Sequence, residues 1–103
     1  MKTGIFIDGD KMSTEIKHDP EDNKFYTVID GSEAYLRYLI IDNSTIEMIK
    51  TYVPQELRDR GIAGDLVSKA LNFAEEKKLK IIPTCSYVAT YVKRHKEFEH
   101  LLA

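Results

Sequence analysis

The chain has 103 residues, 43% of them hydrophobic and 31% charged, which is the composition of one soluble globular domain and excludes the disordered and fibrous classes. Fifteen basic residues against 17 acidic ones give a formal net charge of -2, so no overall field favours nucleic acid or an anionic membrane as a partner. The single cysteine cannot form an internal disulfide, and no apolar run approaches the roughly 20 residues of a membrane helix, so we expect a cytoplasmic monomer or weak dimer.

The first 12 residues stand apart from the rest of the chain. The run "GIFID" could add an edge strand or belong to a leader, because Met12 followed by Ser13 resembles an alternative start. Its apolar stretch is not a convincing h-region of a secretory signal peptide. We expect one domain over residues 13–103, with residues 1–12 as an extra strand or a leader.

Three segments rich in aromatic and β-branched residues predict an antiparallel meander of strands. They are "KFYTVID" at 24–30, "SEAYLRYLIID" at 32–42 and "STIEMIKTYV" at 44–53. The Asp30-Gly31 pair is typical of a tight hairpin, and Asp42-Asn43 leaves room only for another short turn. Because the middle segment is apolar at nearly every position, we expect it near the centre of the sheet with both faces at least partly covered.

The pattern then changes to apolar residues three and four apart, which predicts an amphipathic helix over about 62–77. The run "LKIIPTCS" predicts a short strand, and the apolar residues from Tyr87 to His95 predict a second helix. Because a helix links them, the last strand is expected to pair in parallel with the third. We predict an α+β fold, three-layer α/β/α-like, with a mixed, mostly antiparallel sheet and two main helices.

The segment "PQELRDRGIAGDLV" places Arg58, Arg60, Gly61 and Gly64 at the predicted start of the first helix. The free amides and partial positive charge of a helix start attract phosphate or carboxylate, and glycine lets the backbone approach such a ligand. Arginine opposes the helix dipole there by roughly 0.3 to 1 kcal/mol, whereas a charge-assisted hydrogen bond to an anion gains about 1.5 to 3 kcal/mol. A plain turn with solvated arginines and a glycine at an unusual backbone angle fits the same residues.

The segment has neither the G-x-G-x-x-G pattern nor the Gly-Lys-Ser/Thr ending of two well-known phosphate loops. Arg58, Gly61 and Ala63 in "RDRGIAG" resemble instead the Arg-x-x-Gly-x-Ala pyrophosphate turn of the GNAT superfamily of acetyl-CoA-dependent N-acetyltransferases. With the flanking "TYVP" and "LKIIPTCSYVATYVKRH", the chain is similar to very short members of that superfamily over about residues 13–102. The resemblance implies an acetyltransferase that uses acetyl-CoA and an amine or protein acceptor.

The resemblance also implies which residues hold coenzyme A. The pantetheine arm would lie along residues 51–53, between two parallel strands that splay apart. Pro83 supports such a splay, because it lacks the N-H that a fully paired central strand needs. The residues implied for the cofactor are Thr51, Tyr52, Val53, Arg58, Arg60, Gly61, Ile62, Ala63, Gly64, Cys85, Tyr87 and Tyr91.

Cys85 is expected where a strand ends and the second helix begins, with Ser86 able to cap that helix. Helix amides near a thiol favour the thiolate, although an unpaired cysteine is commonly a small buried hydrophobic residue. A cysteine lies near the acetyl thioester in the short relatives, which implies that Cys85 accepts the acetyl group or assists its direct transfer. The superfamily often uses a tyrosine of the last helix as the acid, so Tyr91 is a second catalytic candidate, although Tyr91 and Tyr87 are equally consistent with core rings.

Two functions of other classes remain open: a coenzyme A binding or scaffolding module without turnover, and a structural protein whose glycines only form a turn. The histidines show no ligand spacing with Cys85, so no metal is predicted. The short connections between the strands leave the acceptor cleft shallow, and a partner protein, a second subunit or a protein substrate could complete it.

Overall fold

The computed structural model describes residues 14–103, so the expectation of an extra strand or leader at residues 1–12 lies outside the described residues. The strands are β1 Lys17–Asp19, β2 Lys24–Ile29, β3 Ser32–Asp42, β4 Thr45–Tyr52 and β5 Lys80–Pro83. The α-helices are α1 Ile62–Lys77 and α2 Ser86–Arg94, and two 3-10 helices cover Gln55–Leu57 and Lys96–Leu101. Within residues 14–103, no helix is both long enough and apolar enough to span a membrane.

One mixed sheet in the order β1-β2-β3-β4-β5 forms the centre of the fold. The first four strands pair antiparallel and β5 pairs parallel to β4, which confirms the predicted meander and parallel pair. Asp30 and Gly31 have φ of 52° and 81°, the left-handed angles of a tight hairpin between right-twisted strands. The sequence pattern does not predict β1, because "KHD" contains no apolar or β-branched residue.

The helices and the sheet enclose one hydrophobic core. α1 has the predicted boundaries, and its buried residues are Ile62, Leu66, Val67, Ala70, Leu71 and Ala74, at the predicted spacing. α2 adds Val88 and Val92 to the same core. From the sheet, Phe25, Leu36 and Met48 are fully shielded from solvent. The mixed sheet with two main helices is the predicted α+β fold.

The far end of β3 differs from the prediction. β2 pairs with β3 only as far as Arg37, so the residues beyond it pair with β4 alone. Leu39, Ile40 and Ile41 are 46%, 63% and 48% exposed, and the expectation that both faces of this segment are covered is wrong there. The apolar run continues along the chain, but β2 no longer lies beside it, so this end of β3 is an edge of the sheet with only β4 and then β5 on its other side.

A β-bulge interrupts β4 next to the parallel pair. Arg37 pairs with Lys50 and Tyr38 pairs with Met48, which leaves Ile49 as the extra residue on β4. A bulge bends its strand and re-aims the side chains beside it. Pairing with β5 ends at Met48 and Pro83, so the edge of β4 that faces β5 is open from residue 49 onward. The two parallel strands therefore separate where the predicted splay requires it.

Candidate functional site

The turn before α1 contains two residues with left-handed backbone angles. Asp59 has φ of 66° and Gly61 has φ of 76°. A Cβ on Gly61 would meet no atom within 4 Å, so the backbone angle, rather than crowding, favours glycine at this position. Gly61 is also the N-cap of α1, and no side chain caps this helix start.

The amides of residues 59–64 have no hydrogen-bond acceptor within the described chain. The first amide of this region that is bonded belongs to Asp65, which donates to the Gly61 carbonyl over 3.1 Å. Most helix starts satisfy part of these donors with a side chain. Here six consecutive N-H groups are left for solvent or for a ligand, and the helix dipole makes them attractive to an anion.

Arg58 and Arg60 are exposed beside these amides. The Nε of Arg58 donates to the Val53 carbonyl over 3.0 Å, and a terminal nitrogen of Arg60 donates to the Glu56 carbonyl over 3.3 Å. Each of these bonds leaves other guanidinium N-H groups available. Neither arginine forms a salt bridge with a carboxylate of residues 14–103, so the positive charge of the turn is not neutralised from that part of the chain.

A groove joins this turn to the open edge of β4. It consists of two cavities, of about 280 and 340 Å³, that share Val53, Arg58, Ala63 and Tyr87. The first cavity extends to Gly61 and Ile62 at the helix start. The second extends to Thr51 and Tyr52 at the end of β4. The two cavities are thus lined by eight of the residues that the resemblance implies for the cofactor: Thr51, Tyr52, Val53, Arg58, Gly61, Ile62, Ala63 and Tyr87.

Cys85 lines neither cavity, but it contacts Thr51, which lines the second one. Its amide donates to the Met48 carbonyl over 2.9 Å, and its Sγ donates to the Thr51 Oγ1 over 3.5 Å. Burial, the largest single influence, raises the pKa of the Cys85 thiol, but hydrogen bonds from Thr51 and from the amides of Val88 and Tyr87 together lower it below its ordinary value. The half-buried thiol therefore ionises more readily than an ordinary cysteine.

The cap of α2 differs from the expectation. Cys85 is the N-cap and Ser86 is the first residue of the helix, so Ser86 does not cap it. The physical reason is the amide of Cys85, whose bond to Met48 keeps residue 85 in an extended conformation. The helix therefore begins one residue earlier than it would with Ser86 as its cap, and the amides of Tyr87 and Val88 lie within hydrogen-bonding reach of the sulfur.

The two tyrosines of α2 occupy different positions. Tyr87 is 44% exposed and lines both cavities of the groove. Tyr91 lines neither of them: it packs against the core and stacks on His95 with ring centroids 3.9 Å apart. A Cβ on Gly64 would lie 3.8 Å from the Tyr87 hydroxyl and 3.9 Å from the Tyr91 ring, so Gly64 keeps the space between α1 and α2 narrow but open. The role of Tyr91 as an acid stays a prediction.

Sequence reasoning misses one contact and one cavity region. The bond between Thr51 and Cys85 joins residues 34 positions apart, and no local pattern indicates it. Two larger cavities, of about 430 and 450 Å³, lie along α1 beside the N-terminal strand and share Lys69 and Asn72. Neither is lined by Cys85 or by residues 58–64, so cavity size alone would not select the groove. Residues 14–103 contain no cluster of metal-ligating side chains.

Comparisons with known proteins point to one family. Residues 24–101 match the family model described as GCN5-related N-acetyl-transferase. Protein NATD1 of Xenopus tropicalis is 34% identical over 85 residues, which cover 81% of this chain and 78% of that protein. Protein NATD1 of Homo sapiens is 34% identical over 82 residues, which cover 78% of this chain and 73% of that protein.

A solved structure is similar in fold as well as in sequence. The NMR solution structure of a GCN5-like candidate N-acetyltransferase from Staphylococcus aureus superimposes with a TM-score of 0.69 at 29% identity. The superposition covers 88% of this chain and 89% of that one. Sequence family and fold therefore agree over most of the domain.

Proposed function

This chain belongs to the GCN5-related N-acetyltransferase family, and we propose that it transfers an acetyl group from acetyl-CoA to an amine. The observation that carries the proposal is the groove that runs from the turn before α1, past Arg58, to Thr51 at the open edge of β4. It joins an anion-attracting end to a half-buried thiol through Thr51. Coenzyme A has the same order of parts: an anionic diphosphate, an extended arm and a thioester.

The turn before α1 would hold the diphosphate. The amides of residues 59–64 have no acceptor among residues 14–103, and Arg58 and Arg60 keep free donors beside them. Donors and positive charge that converge in this way fit a doubly charged phosphate group better than a plain turn does. The hydrogen-bond donors and the positive charge of the turn are therefore suited to the diphosphate of coenzyme A.

The open edge of β4 would hold the pantetheine arm. An extended amide chain can pair with the free edge of a strand as another strand would, and residues 51–52 lie on β4 beyond its last pair with β5. The bond from Arg58 to the Val53 carbonyl ties the end of this edge to the turn. The same arginine would thus fix the relative position of the two parts of the ligand.

Cys85 and its neighbours would act at the acetyl end. Bound acetyl-CoA would supply an activated acetyl thioester. Thr51 and the first amides of α2 hold Cys85 in a state that ionises more readily than an ordinary thiol, and Tyr91 is the candidate for the acid. The acetyl group could pass through Cys85 or go directly to the amine.

Calorimetry with coenzyme A tests the binding step. We expect Arg58→Ala to weaken binding roughly 10- to 150-fold, because one charge-assisted hydrogen bond is worth about 1.5 to 3 kcal/mol. Lys77→Ala, at the far end of α1, is the matched control and should bind as the wild type does. No binding by the wild type would refute the proposal. Binding without release of free thiol in the presence of amines would favour the coenzyme A module instead.

Intact-mass analysis separates the two chemical routes. If the acetyl group passes through Cys85, acetyl-CoA should add one acetyl group to the wild type but not to Cys85→Ala. If transfer is direct, the wild type should turn over without an adduct, and Cys85→Ala should keep part of its activity. An adduct of the same yield on Cys85→Ala would show that another residue carries the acetyl group and would exclude the route through Cys85.

A further inference from the structure

Two rows of like side chains cross the sheet on the face opposite Phe25 and Leu36. Residues that pair across β2, β3 and β4 stand side by side on one face, because side chains alternate along each strand. One row is Lys24, Arg37 and Lys50, and the other is Tyr26, Tyr35 and Tyr52. The rows are two residues apart along each strand, so they form one basic and aromatic surface, which we name the Lys-Tyr face.

Each cation of this face leans over the tyrosine of its own strand. The distances from charge to ring centroid are 5.1 Å for Lys24, 5.5 Å for Arg37 and 6.0 Å for Lys50. Tyr35 and Tyr52 also contact each other, with ring centroids 5.5 Å apart. The positive charges thus lie on the aromatic surface instead of spreading into solvent.

Like charges opposite each other on neighbouring strands repel, and two of the three cations are neutralised locally. Lys24 is 2.6 Å from Glu33, and Arg37 is 3.2 Å from Asp22. Lys50 is exposed and has no carboxylate within ion-pair distance among residues 14–103. It is therefore the member of the row whose charge the described part of the chain leaves uncompensated.

The uncompensated end of the Lys-Tyr face adjoins the groove. Tyr52 belongs to this face and also lines the groove beside Thr51. Lys50 and Thr51 are neighbours on β4, so their side chains point to opposite faces of the sheet, and Tyr52 is the residue that connects the Lys-Tyr face to the cavity lined by Thr51. A molecule with an anionic group at Lys50 can therefore pass over Tyr52 and place its other end in that cavity at the open edge of β4.

We propose that the acceptor is an amine that also carries a carboxylate, which Lys50 binds while Tyr52 and Tyr35 support the connecting chain. This inference rests on the proposed acetyltransferase function, whose acceptor it specifies. Polyamines are disfavoured, because their second ammonium would meet the charge of Lys50, which residues 14–103 leave uncompensated. The carboxylate could come from a free amino acid or from an acidic residue beside the reactive amine of a peptide.

Kinetics with matched acceptors tests the inference. Thiol release is measured with 6-aminohexanoate against 6-aminohexanamide, and with a one-lysine peptide flanked by glutamates against the same peptide flanked by glutamines. In the wild type, loss of the carboxylate should lower kcat/KM, and Lys50→Glu should shift the ratio against the carboxylate by roughly two- to fivefold or more, the range of an exposed ion pair. Comparing ratios between variants cancels the different basicities of the amines. The acceptor pair whose kcat/KM ratio changes more in Lys50→Glu identifies the source of the carboxylate. Lys77→Gln is the control and should keep the wild-type ratio.

A second readout does not depend on turnover. NMR titration of the protein saturated with coenzyme A should show shifts at the Tyr35 and Tyr52 rings with 6-aminohexanoate that are weaker with 6-aminohexanamide and are lost in Lys50→Glu. Turnover with a ratio that Lys50→Glu leaves unchanged would overturn the inference and leave the acetyltransferase proposal standing. Absence of turnover together with the expected ring shifts would refute the acetyltransferase proposal but keep a carboxylate site at Lys50. Equal ring shifts for both probes would overturn that site.

Discussion

The two halves of α1 face opposite kinds of surroundings. At its start, the amides of residues 59–64 have no acceptor in the described chain, and no side chain caps the helix. In its second half, Phe73 packs edge-on against His18 with ring centroids 4.6 Å apart, and the His18 Nε2 is 2.7 Å from the Tyr38 hydroxyl. The start of the helix leaves backbone N-H groups for a ligand, whereas the polar groups beside its second half are hydrogen-bonded within the protein. Stability and binding should therefore be separable along a single helix.

The largest change in stability should come from the aromatic cluster that packs against the second half of α1. Phe25 is fully buried and stacks on His18 with centroids 4.1 Å apart, so Phe25→Ala should lower the free energy of unfolding by about 3 to 5 kcal/mol. Urea unfolding measures that loss, and calorimetry on the protein that remains folded should give the wild-type affinity for coenzyme A. Phe25→Leu leaves a smaller cavity and keeps the comparison possible if the alanine variant does not fold. A loss of affinity in the leucine variant would show that the two halves are coupled.

The two glycines of the binding half should respond in opposite directions. Gly61→Ala places a Cβ at φ of 76° and should cost roughly 1 to 2 kcal/mol of stability, because left-handed angles are strained for L-residues. Gly64→Ala, in the first turn of α1, should stabilise the protein by up to about 1 kcal/mol, since alanine is the better helix former. Thermal unfolding measures both changes.

The affinity for coenzyme A gives a second comparison between the Gly61→Ala and Gly64→Ala variants. The added methyl group of Gly64→Ala would lie 3.8 Å from the Tyr87 hydroxyl and narrow the space beside the groove, so this variant should be more stable and bind less tightly. A variant that gains stability while losing affinity identifies a glycine kept for the ligand. If Gly64→Ala binds coenzyme A as the wild type does, the ligand does not pass between α1 and α2 there.

The pH dependence of stability tests the second half of α1, where His18 packs against Phe73. Burial lowers the pKa of His18 below its ordinary value of 6.5, with Lys69 acting in the same direction and Asp19 opposing. The unfolded chain therefore binds the proton first, and stability should be full above pH 6.5 and fall as the pH drops through that value. The slope from this residue is at most about 1.4 kcal/mol per pH unit.

Urea unfolding between neutral and mildly acidic pH measures this slope. His18→Gln should flatten it, because the side chain no longer titrates. Lys77→Gln, which changes an exposed side chain of α1 without removing an imidazole, is the control and should keep the wild-type slope. An identical acid slope in His18→Gln would assign the effect to other groups.

Local sequence patterns predict the regular elements well and the tertiary contacts poorly. The bounds of α1, the hairpin at Asp30-Gly31 and the parallel pair follow from spacing and turn chemistry, which act over a few residues. The bulge at Ile49 and the contact of Thr51 with Cys85 depend on the pairing of distant segments, which no single stretch records. The prediction that both faces of β3 are covered fails at its far end for a similar reason, because an apolar run does not reveal how many strands lie beside it. The family motif supplies the turn before α1, but the groove that joins it to β4 appears only in the fold.

The smallest effect should come from the contact that links the groove to the thiol. Hydrogen bonds from Thr51 and the first amides of α2 lower the pKa of Cys85 against the opposing effect of burial, so Thr51→Val should raise it. The pH profile of alkylation by iodoacetamide, followed by mass spectrometry, measures the midpoint directly and separates ionisation from accessibility. Thr84→Val is the control, because that exposed hydroxyl bonds to Glu47 instead of the sulfur. If Thr51→Val leaves the alkylation midpoint unchanged, the amides of α2 alone stabilise the Cys85 thiolate. β4 would then help to position Cys85 without stabilising its charge.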